Sequence, residues 1–107
     1  MRLLAVTTAL LLSYLASAQD VLVIQINAKW NKANTATELR GLKGCEYVFG
    51  WLEDQPYEIQ SSIVSVPVVV VYKDKVAKMQ YSADISLQLN ATFEEIQTLV
   101  NSLKDSQ

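Results

Sequence analysis

Between residues 20 and 82, four runs of apolar residues have the length of β-strands. Val21 to Ile26 is rich in β-branched residues without polar alternation, which predicts a central strand covered on both faces. Cys45 to Leu52 is rich in aromatic and branched residues and predicts a second strand. Ser65 to Tyr72 predicts a third strand in which Pro67 is the first residue or lies on an edge, because proline cannot donate to a strand ladder. Val76 to Tyr81 alternates after a short polar turn, so the last two strands should form an antiparallel hairpin.

A helix is predicted between the first two strands. Asn31 to Leu42 carries small and apolar residues at helical spacing, namely Ala33, Ala36, Leu39 and Leu42. Asn31 could cap the start of this helix, since asparagine is a preferred capping residue. Thr35 and Glu38 have the spacing of a capping box and offer a second possible start.

Two further helices are predicted in the second half of the chain. Asp54 to Pro56 indicates a turn that leads into a short helix through Ile59 and Ile63, since proline is tolerated in a first helical turn. The last helix begins with a second possible capping box, Thr92 and Glu95. Its apolar residues share one face: Phe93, Ile96, Leu99, Val100 and Leu103.

The N-terminal segment has the layout of a secretory signal peptide. Leu3 to Leu15 is almost wholly apolar, follows Arg2, and precedes the small residues Ala16 to Ala18. The run is shorter than the roughly 20 residues a membrane-spanning helix needs, so cleavage after Ala18 is expected rather than anchoring. Residues 1–18 would then be a signal peptide and 19–107 the domain, in a secreted, periplasmic or lumenal protein. If the segment is retained, it could add a strand and a helix to a cytoplasmic domain.

Composition removes several classes of chemistry. The 107 residues include no histidine and one cysteine, Cys45, so a Ser-His-Asp triad, a histidine metal site and an intramolecular disulfide are all excluded. Nine basic and eleven acidic residues give a net charge of −2 without a basic cluster, which argues against nucleic acid as a partner. The three glycines form no phosphate-binding or dinucleotide motif. No cofactor, metal ligand or catalytic residue is therefore expected.

The predicted order of strands and helices, together with two short motifs, resembles that of the thioredoxin-like superfamily. Ala28 to Asn34 follows the first strand and resembles the active-site segment in which tryptophan leads into Cys-x-x-Cys. Here Trp30 leads into Asn31-Lys32-Ala33-Asn34, so both cysteine positions hold asparagine. Ile63 to Pro67 resembles the cis-proline loop that precedes the next strand of the family. The resemblance implies an α/β fold, a compact βαβ-α-ββα mixed sheet with helices on both faces.

The resemblance also implies a surface and a function. Thiol–disulfide exchange needs an attacking thiolate and a resolving thiol, which amides cannot supply. In the family, the residue before the cis-proline presents backbone groups to an extended peptide. We therefore expect a redox-inactive protein that binds a peptide or partner protein through Trp30, Asn31, Asn34, Val66 and Pro67.

Each of these residues also has an ordinary structural interpretation. Trp30 would be a core residue, Asn31 a helix cap, and Pro67 a trans proline at the start of a strand. Nothing in the sequence around the acidic pair Glu53 and Asp54 assigns one carboxyl as an acid and the other as a base. Asn90 begins a sequence of the N-glycosylation type.

Two alternative functions remain open. Cys45 could act as a single redox thiol or form an intermolecular disulfide, although a free cysteine is commonly a small buried apolar residue. Ile85, Leu87 and Leu89 alternate as in an additional edge strand, which could pair with a second copy and make the chain a structural or assembly subunit. A homo-oligomer therefore stays open.

Overall fold

A computed structural model describes residues 20–105, which fold around a mixed four-stranded sheet. Its strands are β1 (Val21–Asn27), β2 (Glu46–Trp51), β3 (Val68–Lys73) and β4 (Val76–Tyr81), in the order β2-β1-β3-β4. β1 pairs with β2 in parallel and with β3 antiparallel, and β3 and β4 are antiparallel. All four strands and the hairpin were predicted from the hydrophobic pattern.

The central strand separates two apolar cores. All seven residues of β1 are buried, as the absence of polar alternation predicts. One face carries Leu22, Ile24 and Ile26 against the short helix α1 (Tyr57–Ser62), which contributes Ile59. The opposite face carries Val21 and Val23 against α2 (Phe93–Asp105), from which Ile96 and Val100 are fully buried. Helices therefore cover both faces of the sheet, as predicted.

The N-terminus of α2 is stabilised by the predicted capping box. The Glu95 N–H donates to Thr92 Oγ1 at 3.1 Å, and the Thr92 N–H donates to Glu95 Oε1 at 2.8 Å. These reciprocal bonds satisfy two backbone groups that the start of a helix would otherwise leave unpaired. The polar–apolar pattern and the cap therefore specify this helix locally.

The predicted helix from Asn31 to Leu42 is wrong. Two 3₁₀ helices, Lys29–Asn34 and Thr37–Gly41, occupy this region. The predicted caps are also absent, because Ala28 and Ala36 take the capping positions without a side-chain hydrogen bond. Ala36, Leu39 and Leu42 are buried at a spacing of three, which suits the three residues per turn of a 3₁₀ helix.

The predicted extra edge strand through Ile85, Leu87 and Leu89 is also wrong. A single bridge joins Ala83 to Leu89, and Leu87 adopts a left-handed backbone conformation at φ 64°. The carboxylate of Asp84 accepts from both the N–H and the hydroxyl of Ser86 and closes a turn. These bonds hold the pKa of Asp84 below its usual value. The proposed pairing with a second copy through this strand loses its structural basis.

The hairpin turn between β3 and β4 forms without glycine. Asp74 and Lys75 have φ angles of 51° and 71°, the left-handed conformation that a two-residue hairpin turn with right-handed strand twist requires. The Asp74 N–H donates to the carbonyl of Asp20 at 2.8 Å, which secures the turn against the start of β1.

The expected signal peptide, residues 1–18, lies outside the described residues. Within residues 20–105, no helix combines the length and hydrophobicity that crossing a bilayer demands.

We expect Tyr72→Phe to increase the free energy of unfolding by about 1 kcal/mol, since within residues 20–105 the buried Tyr72 hydroxyl has no hydrogen-bond partner. Burial raises the pKa of Tyr72 to about 12, so the unfolded chain loses this proton first as pH rises. Wild-type stability should therefore fall between about pH 10 and 12, and less steeply in the variant. Chemical denaturation across this range measures both effects. Tyr57 is exposed, so Tyr57→Phe is the control. Equal changes in the free energy of unfolding for the two variants would contradict the expectation.

Candidate functional site

Three asparagine side chains form a connected network at the carboxyl end of β1. Asn27 Nδ2 donates to the Asn31 carbonyl at 3.0 Å and to Thr35 Oγ1 at 2.8 Å. Asn34 Nδ2 donates to Asn31 Oδ1 at 2.8 Å. Asn27 and Asn31 are buried and Asn34 is half-buried, so the network passes from the sheet toward the surface.

The Asn31 amide joins three parts of the chain. Its Nδ2 lies 3.1 Å from Asn27 Oδ1, 3.0 Å from the Leu87 carbonyl and 3.4 Å from the Val66 carbonyl. An amide nitrogen has two protons, so these three acceptors share two donors. Asn31 therefore holds the loop after β1, the bend before β3 and the segment before α2 around one point.

Another buried amide on β1, Gln25, positions the segment that carries these asparagines. Gln25 Oε1 accepts from the Ala36 N–H at 3.0 Å, and Gln25 Nε2 donates to the Ala36 carbonyl at 3.2 Å. These bonds engage both backbone groups of Ala36, at the junction of the two 3₁₀ helices. They give the physical reason why one continuous helix does not form there.

Trp30 lies on the surface beside this network. Its side chain is 67% exposed, although a tryptophan that follows a strand is more often in the core. The preceding N–H, of Lys29, donates to both carboxylate oxygens of Glu53 at 2.9 and 3.1 Å. The Lys29 ammonium also contacts Asp54 at 3.3 Å. The acidic pair thus anchors the backbone beneath Trp30.

The bend before β3 supplies the other side of the site. Val66 and Pro67 are buried, and the peptide bond between them is cis. Within residues 20–105, the backbone N–H groups of Val64, Ser65 and Val66 donate no hydrogen bond. Val64 is fully exposed, with 99% of its surface accessible. This bend therefore combines unpaired backbone donors with an exposed apolar side chain.

The structure has a solved counterpart over almost its whole length. A point mutant of the thioredoxin from Halobacterium salinarum NRC-1 superposes with a TM-score of 0.62, covering 95% of this chain and 90% of that one at 17% sequence identity. The fold is thioredoxin-like. No protein-family model matches the sequence, and no curated protein matches it either.

Within this thioredoxin-like fold, the five predicted site residues occupy one neighbourhood. Asn31 contacts Asn34 and Val66 directly. Trp30 precedes Asn31 in the chain, and Pro67 follows Val66. Asn31 is neither a helix cap nor a regular helical residue, since its φ and ψ are −109° and 21°. It acts instead as a long-range link between segments.

This neighbourhood also contains four residues that were not predicted from the sequence: Gln25, Asn27, Leu87 and Gln88. Gln88 Nε2 donates to Asn34 Oδ1 at 3.4 Å, and the Leu87 carbonyl accepts from Asn31. Gln25 and Asn27 could have been identified from the sequence, because two amides at alternate positions of a buried apolar strand need hydrogen-bond partners. The sequence does not indicate the contacts of Leu87 and Gln88, because these contacts depend on how the segment before α2 folds.

Cys45 does not join the site. It precedes β2 at the end of the sheet where Leu22 pairs with Glu46, while Asn31 lies beyond the opposite end, where Asn27 pairs with Trp51. Cys45 packs against the α2 core, and burial raises its thiol pKa. A raised pKa reduces the thiolate fraction, which is unfavourable for a nucleophilic thiol. The described part of the chain also contains no cluster of three potential metal-ligating side chains.

We expect Asn31→Ala to reduce the free energy of unfolding by about 2 kcal/mol, because it removes the donor to the buried Asn27 Oδ1 and the acceptor of Asn34 Nδ2. Chemical denaturation measures this loss. Asn90→Ala is the matched control, since the Asn90 side chain is exposed and forms no hydrogen bond among residues 20–105. Similar stabilities for the two variants would show that the network contributes little.

The double substitution Asn31→Cys and Asn34→Cys should form a reducible disulfide, because these side chains face each other in direct contact. Thiol counting of the full chain provides the measurement, with Cys45 as an internal reference. Three thiols should be titrated after reduction and one after mild oxidation. Persistence of three thiols would mean that the side chains do not have bridging geometry.

Proposed function

We propose that this thioredoxin-like protein binds an extended peptide segment of a partner protein at the surface formed by Trp30 and the bend before Pro67, and that it performs no thiol–disulfide exchange. The observation that carries the proposal is that three chain segments, each with an exposed apolar side chain, meet at the Asn31 amide. Hydrogen bonds of Asn31 connect these segments to one another.

The exposed apolar residues come from three separate segments. Trp30 is adjacent to Asn31, Val64 is two residues from Val66, and Ile85 is two residues from Leu87. Asn31 Nδ2 contacts the carbonyls of Val66 and Leu87, so these segments meet at one side chain. Clustered exposed apolar residues are typical of interaction surfaces, whereas isolated ones are ordinary.

The backbone of the bend supports recognition of an extended chain. The unpaired N–H groups of Val64, Ser65 and Val66 can donate to the carbonyls of a peptide laid alongside them. Such main-chain bonds provide affinity without selecting a side chain. Trp30 offers a large apolar contact with few rotatable bonds, a common anchor in protein interfaces.

The asparagines serve this surface indirectly. Asn31 is 5% exposed, and its amide is already engaged by Asn27, Val66 and Leu87. A bound peptide therefore meets Trp30 and the bend, while Asn31 and Asn34 hold those parts in place. Amides also lack the nucleophilic sulfur that exchange requires.

Trp30→Ala should weaken peptide binding about thirtyfold, the effect of losing an aromatic anchor worth about 2 kcal/mol. A phage-displayed library of short linear peptides, selected against the full-length wild-type protein, supplies the probe. Isothermal titration with the selected peptide measures the affinity. Val64→Ala should weaken binding severalfold.

The matched control is Val76→Ala, which truncates another exposed valine next to the Asp74–Lys75 turn, at the opposite end of the sheet. It should leave the affinity unchanged. Failure to select any peptide, or equal affinities for wild type and Trp30→Ala, would overturn the proposed binding. Disulfide-exchange activity that disappears in Cys45→Ser would overturn the redox-inactive part.

A further inference from the structure

A pocket lies between edge strand β2 and the segment that contains the two 3₁₀ helices. It has a volume of about 200 Å³. Its lining combines three aromatic residues of β2 with polar and cationic residues of the two 3₁₀ helices and the link between them: Tyr47, Phe49, Trp51, Lys32, Thr35, Thr37 and Arg40. Trp30 does not line it, so this pocket is separate from the proposed peptide surface.

The aromatic wall follows from the period of the strand. Tyr47, Phe49 and Trp51 occupy alternate positions of β2 and therefore share one face. Phe49 and Trp51 pack edge-to-face, with ring centroids 4.9 Å apart and an interplanar angle of 90°. Their half-buried rings leave apolar surface available to a ligand. This wall suits a flat or apolar molecular body.

Two hydroxyl groups of the pocket lining, those of Tyr47 and Thr35, have protons available for a ligand. Tyr47 Oη accepts from Gln25 Nε2 at 2.7 Å, and Thr35 Oγ1 accepts from Asn27 Nδ2 at 2.8 Å. Since each oxygen already accepts a proton from β1, its own proton remains available for a further acceptor. Within residues 20–105, neither hydroxyl donates to a protein acceptor.

The phenol of Tyr47 keeps this proton at neutral pH. Burial raises its pKa above the usual value, against the lowering effects of the Gln25 hydrogen bond and the Arg40 charge. Glu38 adds a smaller raising effect. Tyr47 therefore remains a neutral donor beside the two cations.

The cations of the pocket have no acidic partners in the described part of the chain. The ion pairs between residues 20 and 105 are Lys29 with Asp54 and Lys73 with Asp20, so Lys32 and Arg40 remain unpaired. No carboxylate lines the pocket. The polar groups of the site are thus rich in donors and positive charge.

We propose that this pocket binds a small aromatic carboxylate, with its ring against Phe49 and Trp51 and its carboxylate toward Arg40, Lys32 and the Tyr47 hydroxyl. A carboxylate accepts charge-assisted hydrogen bonds from a guanidinium, an ammonium and a phenol together. The volume is below the roughly 300–1,000 Å³ of pockets for drug-sized ligands, which restricts the occupant to about one ring and a short acid chain.

Phenylacetate is the probe, and the two tryptophans distinguish the sites. The uniformly ¹⁵N-labelled full chain has two indole N–H resonances, from Trp30 and Trp51, which Trp30→Phe assigns. Titration with phenylacetate should shift the Trp51 resonance saturably and leave that of Trp30 in place. Phenylacetamide, the neutral analogue, should bind at least tenfold more weakly, because it loses the charge-assisted bonds.

Single substitutions test whether the Arg40 and Tyr47 side chains bind phenylacetate, in variants that keep the fold. Arg40→Gln should weaken phenylacetate binding at least tenfold, and Tyr47→Phe severalfold. Lys78→Gln removes an exposed cation from β4, at the opposite edge of the sheet, and should leave affinity unchanged. Arg40 is itself exposed, so the folded spectrum should persist in its variant. Absence of a saturable Trp51 shift, or equal binding of phenylacetate and phenylacetamide, would overturn the proposal.

Discussion

The need to satisfy amides buried on the central strand organises this end of the protein. Gln25 and Asn27 are fully buried on β1, where a polar group without a partner costs about 1–3 kcal/mol. Their partners are the backbone of Ala36, the hydroxyls of Tyr47 and Thr35, and the Asn31 carbonyl. The chain after β1 must therefore fold back over the end of the sheet, and it does so as two short 3₁₀ helices.

The same bonds connect the two proposed surfaces. On one side, Asn27 contacts Asn31, which draws the Val66 bend and Leu87 together beneath the exposed Trp30. On the other side, hydrogen bonds from Gln25 and Asn27 to hydroxyl oxygens leave the hydroxyl protons available to a pocket ligand. Asparagine at the two positions that resemble cysteines thus fits a structural network. Amide side chains neither attack nor resolve a disulfide.

The two errors in the predicted elements have local physical causes. Ala36, Leu39 and Leu42 recur every three residues, which fits a 3₁₀ helix better than an α-helix, and Gln25 binds the backbone of Ala36 where a longer helix would continue. Alternation of Ile85, Leu87 and Leu89 resembled a strand, but Asp84 closes a turn with Ser86 and places Leu87 at positive φ. In both cases a polar side chain forms hydrogen bonds with backbone groups that a regular helix or strand would use. The pattern of apolar residues does not indicate these bonds.

The amino-acid sequence was enough to predict the four strands, the hairpin and the capped last helix, because each depends on local patterning, and its composition shows no histidine and a single cysteine. It also placed Asn31 and Val66 in one neighbourhood through resemblance. Three features became apparent from the folded structure: Asn31 is buried among three segments, Trp30 is exposed, and the β2 aromatics line one pocket with two cations that have no acidic partner within residues 20–105. Those features arise from contacts between residues distant in the chain, whose geometry is set by the packing of the whole sheet.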